Sequence, residues 1–465
     1  MQRTKLLKVW ELIPSLAQSE ILAMCDLTDP NYSLESPAVY YRLVTTLAPM
    51  ERRWVGPENR ILAGDQAVHR WYRFVLSFPP HLVRDYLSDF GVGATSVVLD
   101  PFCGTGTTLV EAKLQGVPSV GIEAAPMAHF ASAVKTNWEI DPDGLMEHAE
   151  MVAGVADAKT VGARKLRQLE PERLALLIAN SISPKPLHRV LVLTETLKEH
   201  YAPEFYDHER LALAKILPTE IGNLRFGPEV GLAPRLKDDA PVIELWLSAI
   251  ATIAEDIRAM RSSTISRALH GDAREPSTLL ARQSIDAVFT SPPYPNEKDY
   301  TRTTRLESVL LGFFSSKDDL RTFKKQLVRS NTRGIYRDDN DDAWVHDHAK
   351  IARIARAIED RRIELGKTSG FERQYARVTK LYFGGMARHF EAIKAVLKPG
   401  ARLGYVVGDQ ASYLRVMIRT GELLANIAES RGYRVDRLDL FRTRPATATR
   451  ELLREEVLVL TWPGR

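Results

Sequence analysis

Short apolar runs recur along this chain, and each is stopped by an acid, a glycine or a proline. Ser96-Val97-Val98-Leu99 runs into Asp100, then into a turn holding Gly104 and Gly106. Thr107-Thr108-Leu109-Val110-Glu111-Ala112 reads as the start of a helix. Ser119-Val120-Gly121-Ile122-Glu123 is a second short strand closed by an acid. Arg267 to His270 leads to Gly271-Asp272 as a third. Ala287-Val288-Phe289, with Asp286 before it, leads to Thr290-Ser291-Pro292-Pro293-Tyr294, where two prolines stop the strand. Val396-Leu397-Lys398-Pro399-Gly400 closes a helix, and Arg402 to Asp409 reads as a fifth strand. Gly421 to Arg431 reads as a helix with Gly432 at its C-cap, followed by strands from Tyr433 to Leu440 and Glu455 to Thr461. Counted from Val97, the pattern predicts seven strands with helices between most of them.

Two long stretches stand outside that alternation. Residues 137–262 read mostly as helices, over Glu172 to Asn180, His188 to His200, His208 to Leu217 and Val242 to Met260. Residues 311–380 carry a basic run and then Asp338, Asp339, Asp341 and Asp342, which read as a solvated loop, before an exposed helix from Asp347 to Leu365. The predicted organisation is an N-terminal extension (1–60), a first catalytic part (61–136), a helical insertion (137–262) and a second catalytic part (263–465).

Composition narrows the class. The 465 residues are 45% hydrophobic and 26% charged, as expected of a globular chain with room for more than one core. A net charge of +4 is slight, so a basic face has to be local. Two cysteines, Cys25 and Cys103, exclude a disulfide framework and a cysteine-rich zinc site, and no metal is expected. No apolar stretch resembles a signal peptide or a membrane span, so the expectation is a cytoplasmic protein with no membrane partner.

The glycine turn is not a phosphate loop, which needs Gly-Lys-Ser/Thr, and no lysine follows Gly106. Nor is it a dinucleotide fingerprint, because Leu109 stands where a third glycine belongs. A glycine turn followed by a strand ending in Glu123 suits a nucleoside, the acid accepting from ribose hydroxyls.

Asp100-Pro101-Phe102-Cys103-Gly104-Thr105-Gly106-Thr107, the acid Glu123, Gly271-Asp272-Ala273-Arg274 and Thr290-Ser291-Pro292-Pro293-Tyr294 together resemble the amino-methylating DNA methyltransferases. The Ser-Pro-Pro-Tyr form resembles the members acting on cytosine N4. The resemblance implies a Rossmann-like α/β fold with a seven-stranded mixed sheet, helices on both faces and an antiparallel last strand. It implies S-adenosyl-L-methionine as methyl donor, with Asp100, Phe102, Gly104 and Gly106 around the methionine part. Glu123 would take the ribose and Asp272 would lie near the adenine. Pro101, Thr107, Thr108 and Ser291 fall on the same side, and Phe78 matches a looser N-terminal motif. Trp71, Tyr72 and Phe74 read instead as core. The cofactor motif precedes the target motif here, the reverse of many Ser-Pro-Pro-Tyr members, which leaves the subclass open.

Cytosine's amino nitrogen has its lone pair delocalised into the ring. Ser291 Oγ and the Pro292 carbonyl can accept its two protons and localise that pair, Pro293 stiffens the turn, and Tyr294 can stack on a flipped base. Attack at cytosine C5 would need a cysteine after proline, and neither cysteine follows one. Asp299 and Tyr300 are expected to shape the pocket wall, and Glu307 to cap or bridge on a helix. Double-stranded DNA is the expected partner. Residues 137–262 are a candidate target-recognition domain, and 311–380 a candidate DNA-contacting insertion through Arg321, Lys324, Lys325, Arg329 and Arg333. A cognate restriction endonuclease or defence-system partner is a further expectation. The rival readings are the same chemistry on adenine N6, methylation of an RNA amine, and a DNA-binding protein without activity.

Overall fold

β1 (Val98–Asp100) is the third strand of a seven-stranded sheet ordered β5-β2-β1-β6-β7-β9-β8. β2 is Ser119–Glu123, β5 Ser266–His270 and β6 Ile285–Thr290; β7 is Leu397–Gly408, β8 Arg434–Pro445 and β9 Leu452–Thr461. A separate hairpin pairs β3 (Leu224–Arg225) with β4 (Gly231–Leu232). The computed structural model describes residues 61–73, 77–227, 229–260, 262–296, 298–445 and 452–464. The predicted N-terminal extension, Cys25, Phe74 and Glu297 lie outside the described residues.

Strands β5, β2, β1, β6 and β7 are mutually parallel, and β9 runs antiparallel between β7 and β8. The period of two sorts the strand residues onto two faces. Val98, Ala287 and Phe289 pack with Leu82, Val83 and Leu87 of the helix Pro80–Asp89. Leu99, Val288, Leu403 and Tyr405 pack with Phe390 of Tyr375–Ile393 and Leu424 of Thr420–Ser430. The seven strands and the helices on both faces are those the sequence predicts. Strand order reverses beside β1, since β2 lies on one side and β6 on the other. In an open α/β sheet that reversal opens a crevice at the carboxyl ends of the strands.

Four local expectations change. Leu397 to Gly400 opens β7 instead of closing a helix, which already stops at Ile393. Pro399 cannot extend a helix, and the Gly400 N–H donates to the Trp462 carbonyl at 2.7 Å. The helix predicted from Glu172 shrinks to Pro171–Leu174. Residues His69–Trp71 form a single 3-10 turn, not an amphipathic helix, yet Trp71 and Tyr72 are core, as their apolar character suggests. The run from Asp338 is no solvated loop throughout, because Asp339 and Asp341 grip buried arginines.

The core of the helical insertion is continuous with the catalytic part. Its helices Pro142–Val161, Pro184–Glu199, Tyr206–Ile216 and Val242–Ala259 share one apolar cluster with Trp71, Phe130, Leu306, Val309 and Phe323. Polar ties reinforce it: Trp71 Nε1 donates to Asp256 at 2.8 Å, and Trp246 Nε1 to the Glu209 carbonyl at 2.9 Å. No helix among the described residues is long and apolar enough to cross a membrane.

Candidate active site

Two loops 190 residues apart meet at the carboxyl ends of β1 and β6. Thr290 Oγ1 donates to Asp100 Oδ1 at 2.6 Å, and Thr108 Oγ1 donates to the Phe289 carbonyl at 3.2 Å. The glycine turn and the Ser-Pro-Pro-Tyr turn are thereby fastened directly to each other. A cleft of about 680 Å³ opens between them.

On the β1 side, Asp100 is almost wholly buried. Oδ1 accepts from the Phe102 N–H at 3.1 Å as well as from Thr290, while Oδ2 has no hydrogen-bond partner among the described residues. Burial pushes this carboxyl up to about 7, against the pull of its hydrogen bonds from Thr290 and the Phe102 N–H. Gly106 has φ +84°, and a Cβ there would lie 2.9 Å from Ser132 Cβ, so both the conformation and the close approach require glycine. Glu123 at the tip of β2 holds the turn, accepting from the Gly104 N–H at 2.8 Å and the Ala125 N–H at 2.7 Å. Burial pushes its carboxyl up as well, the backbone N–H groups opposing.

Pro101, Phe102, Gly104, Thr107 and Glu123 line the cleft, as does Phe78, whose ring meets Phe289 edge-on at 5.7 Å. Asp100, Gly106 and Thr108 sit behind that wall. Asp272 lines it from the end of β5 with its carboxylate clamped by Arg274 at 2.6 Å. His389, which no sequence motif marks, props this side. Its ring packs 5.0 Å from Phe102 and bonds the Ala273 carbonyl and Tyr405 Oη, each at 2.7 Å. Burial lowers its pKa to about 4, so it is neutral, with Nδ1–H donating to Ala273 and Nε2 accepting from Tyr405.

On the β6 side, Ser291, Pro292, Pro293 and Tyr294 all line the cleft. Ser291 Oγ donates to the Val406 carbonyl at 3.1 Å, which leaves its lone pairs to accept. The Tyr294 N–H donates to Tyr300 Oη at 3.3 Å. A Cβ on Gly408 would stand 2.9 Å from Tyr294 Cε2, so glycine at the end of β7 makes the space for the ring. Asp299 accepts from Thr301 and from Lys324 at 3.2 Å. Burial pushes its carboxyl up, but those partners outweigh it and the net shift is downward. Glu307 takes the bridging role, accepting from Tyr72 Oη at 2.8 Å far from the turn.

The predicted DNA-contacting residues divide. Arg321, Lys325 and Arg333 are exposed and lie outside the cleft. Lys324 lines it but is half-buried and ion-paired. Arg329 also lines the cleft, but it is buried. Its side chain is only 4% exposed, clamped by Asp339 at 2.7 and 2.9 Å and donating to the Lys324 and Leu327 carbonyls. It braces the loop, and its charge is spent inside the fold.

A family model described as DNA methylase (N6_N4_Mtase) matches residues 53–132, the segment carrying the glycine turn. Type II methyltransferase M.BsoBI of Geobacillus stearothermophilus is 24% identical over 435 residues, covering 83% of each chain. The glycine-turn segment is thus similar to the N6/N4 DNA methylases, and most of the chain to Type II methyltransferases. A second relative of this methyltransferase, Type II methyltransferase M.AvaI of Nostoc, is 22% identical over 422 residues with the same coverage. Among solved structures, TrmN from Thermus thermophilus aligns with 85% of this chain and 52% of its own at 11% identity. Its TM-score of 0.29 is too low to bear on the fold.

Proposed function

We propose that this methyltransferase carries a methyl group from S-adenosyl-L-methionine to the N4 amino group of a cytosine flipped out of double-stranded DNA. The observation that carries the reading is the hydrogen-bonded junction of the two turns, with Ser291 Oγ held as an acceptor on the cleft wall.

The residues present fit the donor. Asp100 Oδ2 is a buried acceptor without a partner among the described residues, beside a turn that glycines keep open. Asp100, Phe102 and Gly104 would hold the methionine part, Glu123 the ribose, and Asp272 with Phe78 the adenine end. When bound, the sulfonium supplies an electrophilic methyl group. The chain's own work is at the amine. Ser291 Oγ and the Pro292 carbonyl accept its two protons, which localises the nitrogen lone pair and aims it across the cleft. Tyr294 stacks on the extruded ring, its phenol pushed up by burial and therefore neutral. Transfer of that methyl group to the amine would leave its surplus proton to go to water. Serine at position 291 favours cytosine, since the family members acting on adenine resemble Asp-Pro-Pro-Tyr or Asn-Pro-Pro-Tyr. Arg321, Lys325 and Arg333 supply exposed positive charge for phosphates.

DNA methylated by the purified protein, digested to nucleosides and weighed, should yield N4-methyl-2′-deoxycytidine. N6-methyladenine would overturn the base assignment, and methyl acceptance by structured RNA alone would overturn the DNA reading. Ser291→Ala should slow transfer by roughly 100-fold or more. Tyr294→Ala should slow it by about 10-fold or more, the worth of one base–aromatic stack. Both variants should bind the donor nearly as the unaltered protein does, and full turnover by Tyr294→Ala would remove the stacking role.

A further inference from the structure

Two buried amide residues line the cleft, each with a polar atom that has no partner among the described residues. Gln410 is 3% exposed and Asn331 is 8% exposed, and both line the cleft with Ser291 and Tyr294. Gln410 Nε2 and Asn331 Oδ1 have no partner among the described residues. A buried polar atom left unsatisfied costs about 1–3 kcal/mol, so such atoms are rare in native folds. Here there are two in one wall, one a donor and the other an acceptor.

Their placement is tied to the target turn. Along the end of β7, Val406, Gly408 and Gln410 alternate onto one side. The Val406 carbonyl accepts from Ser291, Gly408 makes room for the Tyr294 ring, and Gln410 follows two residues on. The Gln410 backbone is occupied in a bridge to Ile418, at 3.0 and 2.7 Å, which fixes its Cα on the cleft wall. Asn331 Nδ2 donates to the Lys298 carbonyl at 3.1 Å, which fixes the amide with Oδ1 free. Tyr413 Oη donates to the Ser330 carbonyl at 2.9 Å, joining the Asn331 segment to the loop after Gln410.

We propose that Gln410 and Asn331 form the polar wall of the target-base pocket and select a base with an amino group beside an unprotonated ring nitrogen. The proposal rests on the methyl-transfer reading above. Gln410 Nε2 donates to the ring nitrogen, and Asn331 Oδ1 is a further acceptor for the amine beside Ser291. Cytosine and adenine both present that edge. Thymine and guanine present a carbonyl beside a ring N–H, which sets acceptor against acceptor and donor against donor. The pair therefore rejects them whatever Ser291 decides between the other two.

The test compares two duplexes carrying the methylated site, located by sequencing modified bases in DNA from an expressing host. One has the natural target base, and the other has its ring nitrogen replaced by C–H. The unaltered protein should lose about 10- to 100-fold in kcat/KM on the second duplex. Gln410→Leu should lose a similar factor on the first and little more on the second, because the contact is already gone. Asn331→Ala should lose about 10-fold on the natural duplex. Donor titration should give both variants the affinity of the unaltered protein. Equal further losses by Gln410→Leu on both duplexes, or full activity of Gln410→Leu on the natural one, would overturn the pocket assignment alone. Absence of methyl transfer by the unaltered protein would overturn both readings.

Discussion

Asp100 carries the sharpest residue-scale consequence. Burial raises its carboxyl to about 7. A raised acid adds stability while protonated, and that contribution fades as the pH climbs from the ordinary carboxylate range through about 7. A cation bound beside it reverses the preference, since an opposite charge favours the carboxylate. Affinity for the cationic methyl donor should therefore rise between about pH 6 and pH 8, with uptake of donor releasing a proton. Asp100→Asn should bind more weakly above pH 7 and show a flat profile. Calorimetric titration in buffers of different ionisation enthalpy measures both, and a flat profile for the unaltered protein would sink the idea. Asp100 and Ser291 were legible in the sequence because their chemistry needs neighbours contiguous along the chain: an acid before a glycine turn, a serine before two prolines. Gln410, Asn331 and His389 were not, because each acts only through residues that folding brings beside it.

At the scale of elements, alternation of apolar residues located all seven strands, since a strand buried on both faces leaves a continuous apolar trace. It missed the start of β7, whose Lys398-Pro399-Gly400 resembles a helix terminus and becomes a strand only by pairing with β6 and β9. The loop from Lys325 to Asp342 misled for a different reason, because alternating charge in a sequence does not say which charges are buried together. The Arg329–Asp339 pair is nearly sealed from solvent, whereas Lys325–Asp338 is open. Removing one partner of a buried pair strands the other charge. Asp339→Ala should cost about 3–5 kcal/mol of unfolding free energy. Asp338→Ala should leave stability nearly unchanged. Urea denaturation of the two variants checks the contrast, and equal midpoints would mean that Arg329 does not need its partner.

The whole molecule raises the question of what the helical insertion is for. A recognition module that folds by itself would keep its core separate, yet the apolar core of these helices runs on into Trp71, Phe130 and the 306–323 segment. Phe130 lies on the helix after β2, which begins at the wall holding Glu123, and Leu306 follows the target turn by a dozen residues. The insertion thus leans on both halves of the active site, and its packing contributes to holding them together. Domains that share a core unfold as one. Far-UV circular dichroism follows the helices of 137–262 as much as the sheet, and tryptophan emission sums seven tryptophans, among them Trp138 and Trp246 in the insertion and Trp344 and Trp462 outside it. The two signals should fall together with one denaturant midpoint, and Val309→Ala, a change in the shared core, should lower both by the same amount. A helical signal lost well before or after the tryptophan emission shifts would show an insertion that stands alone, and the bracing role would then pass to some other part of the chain.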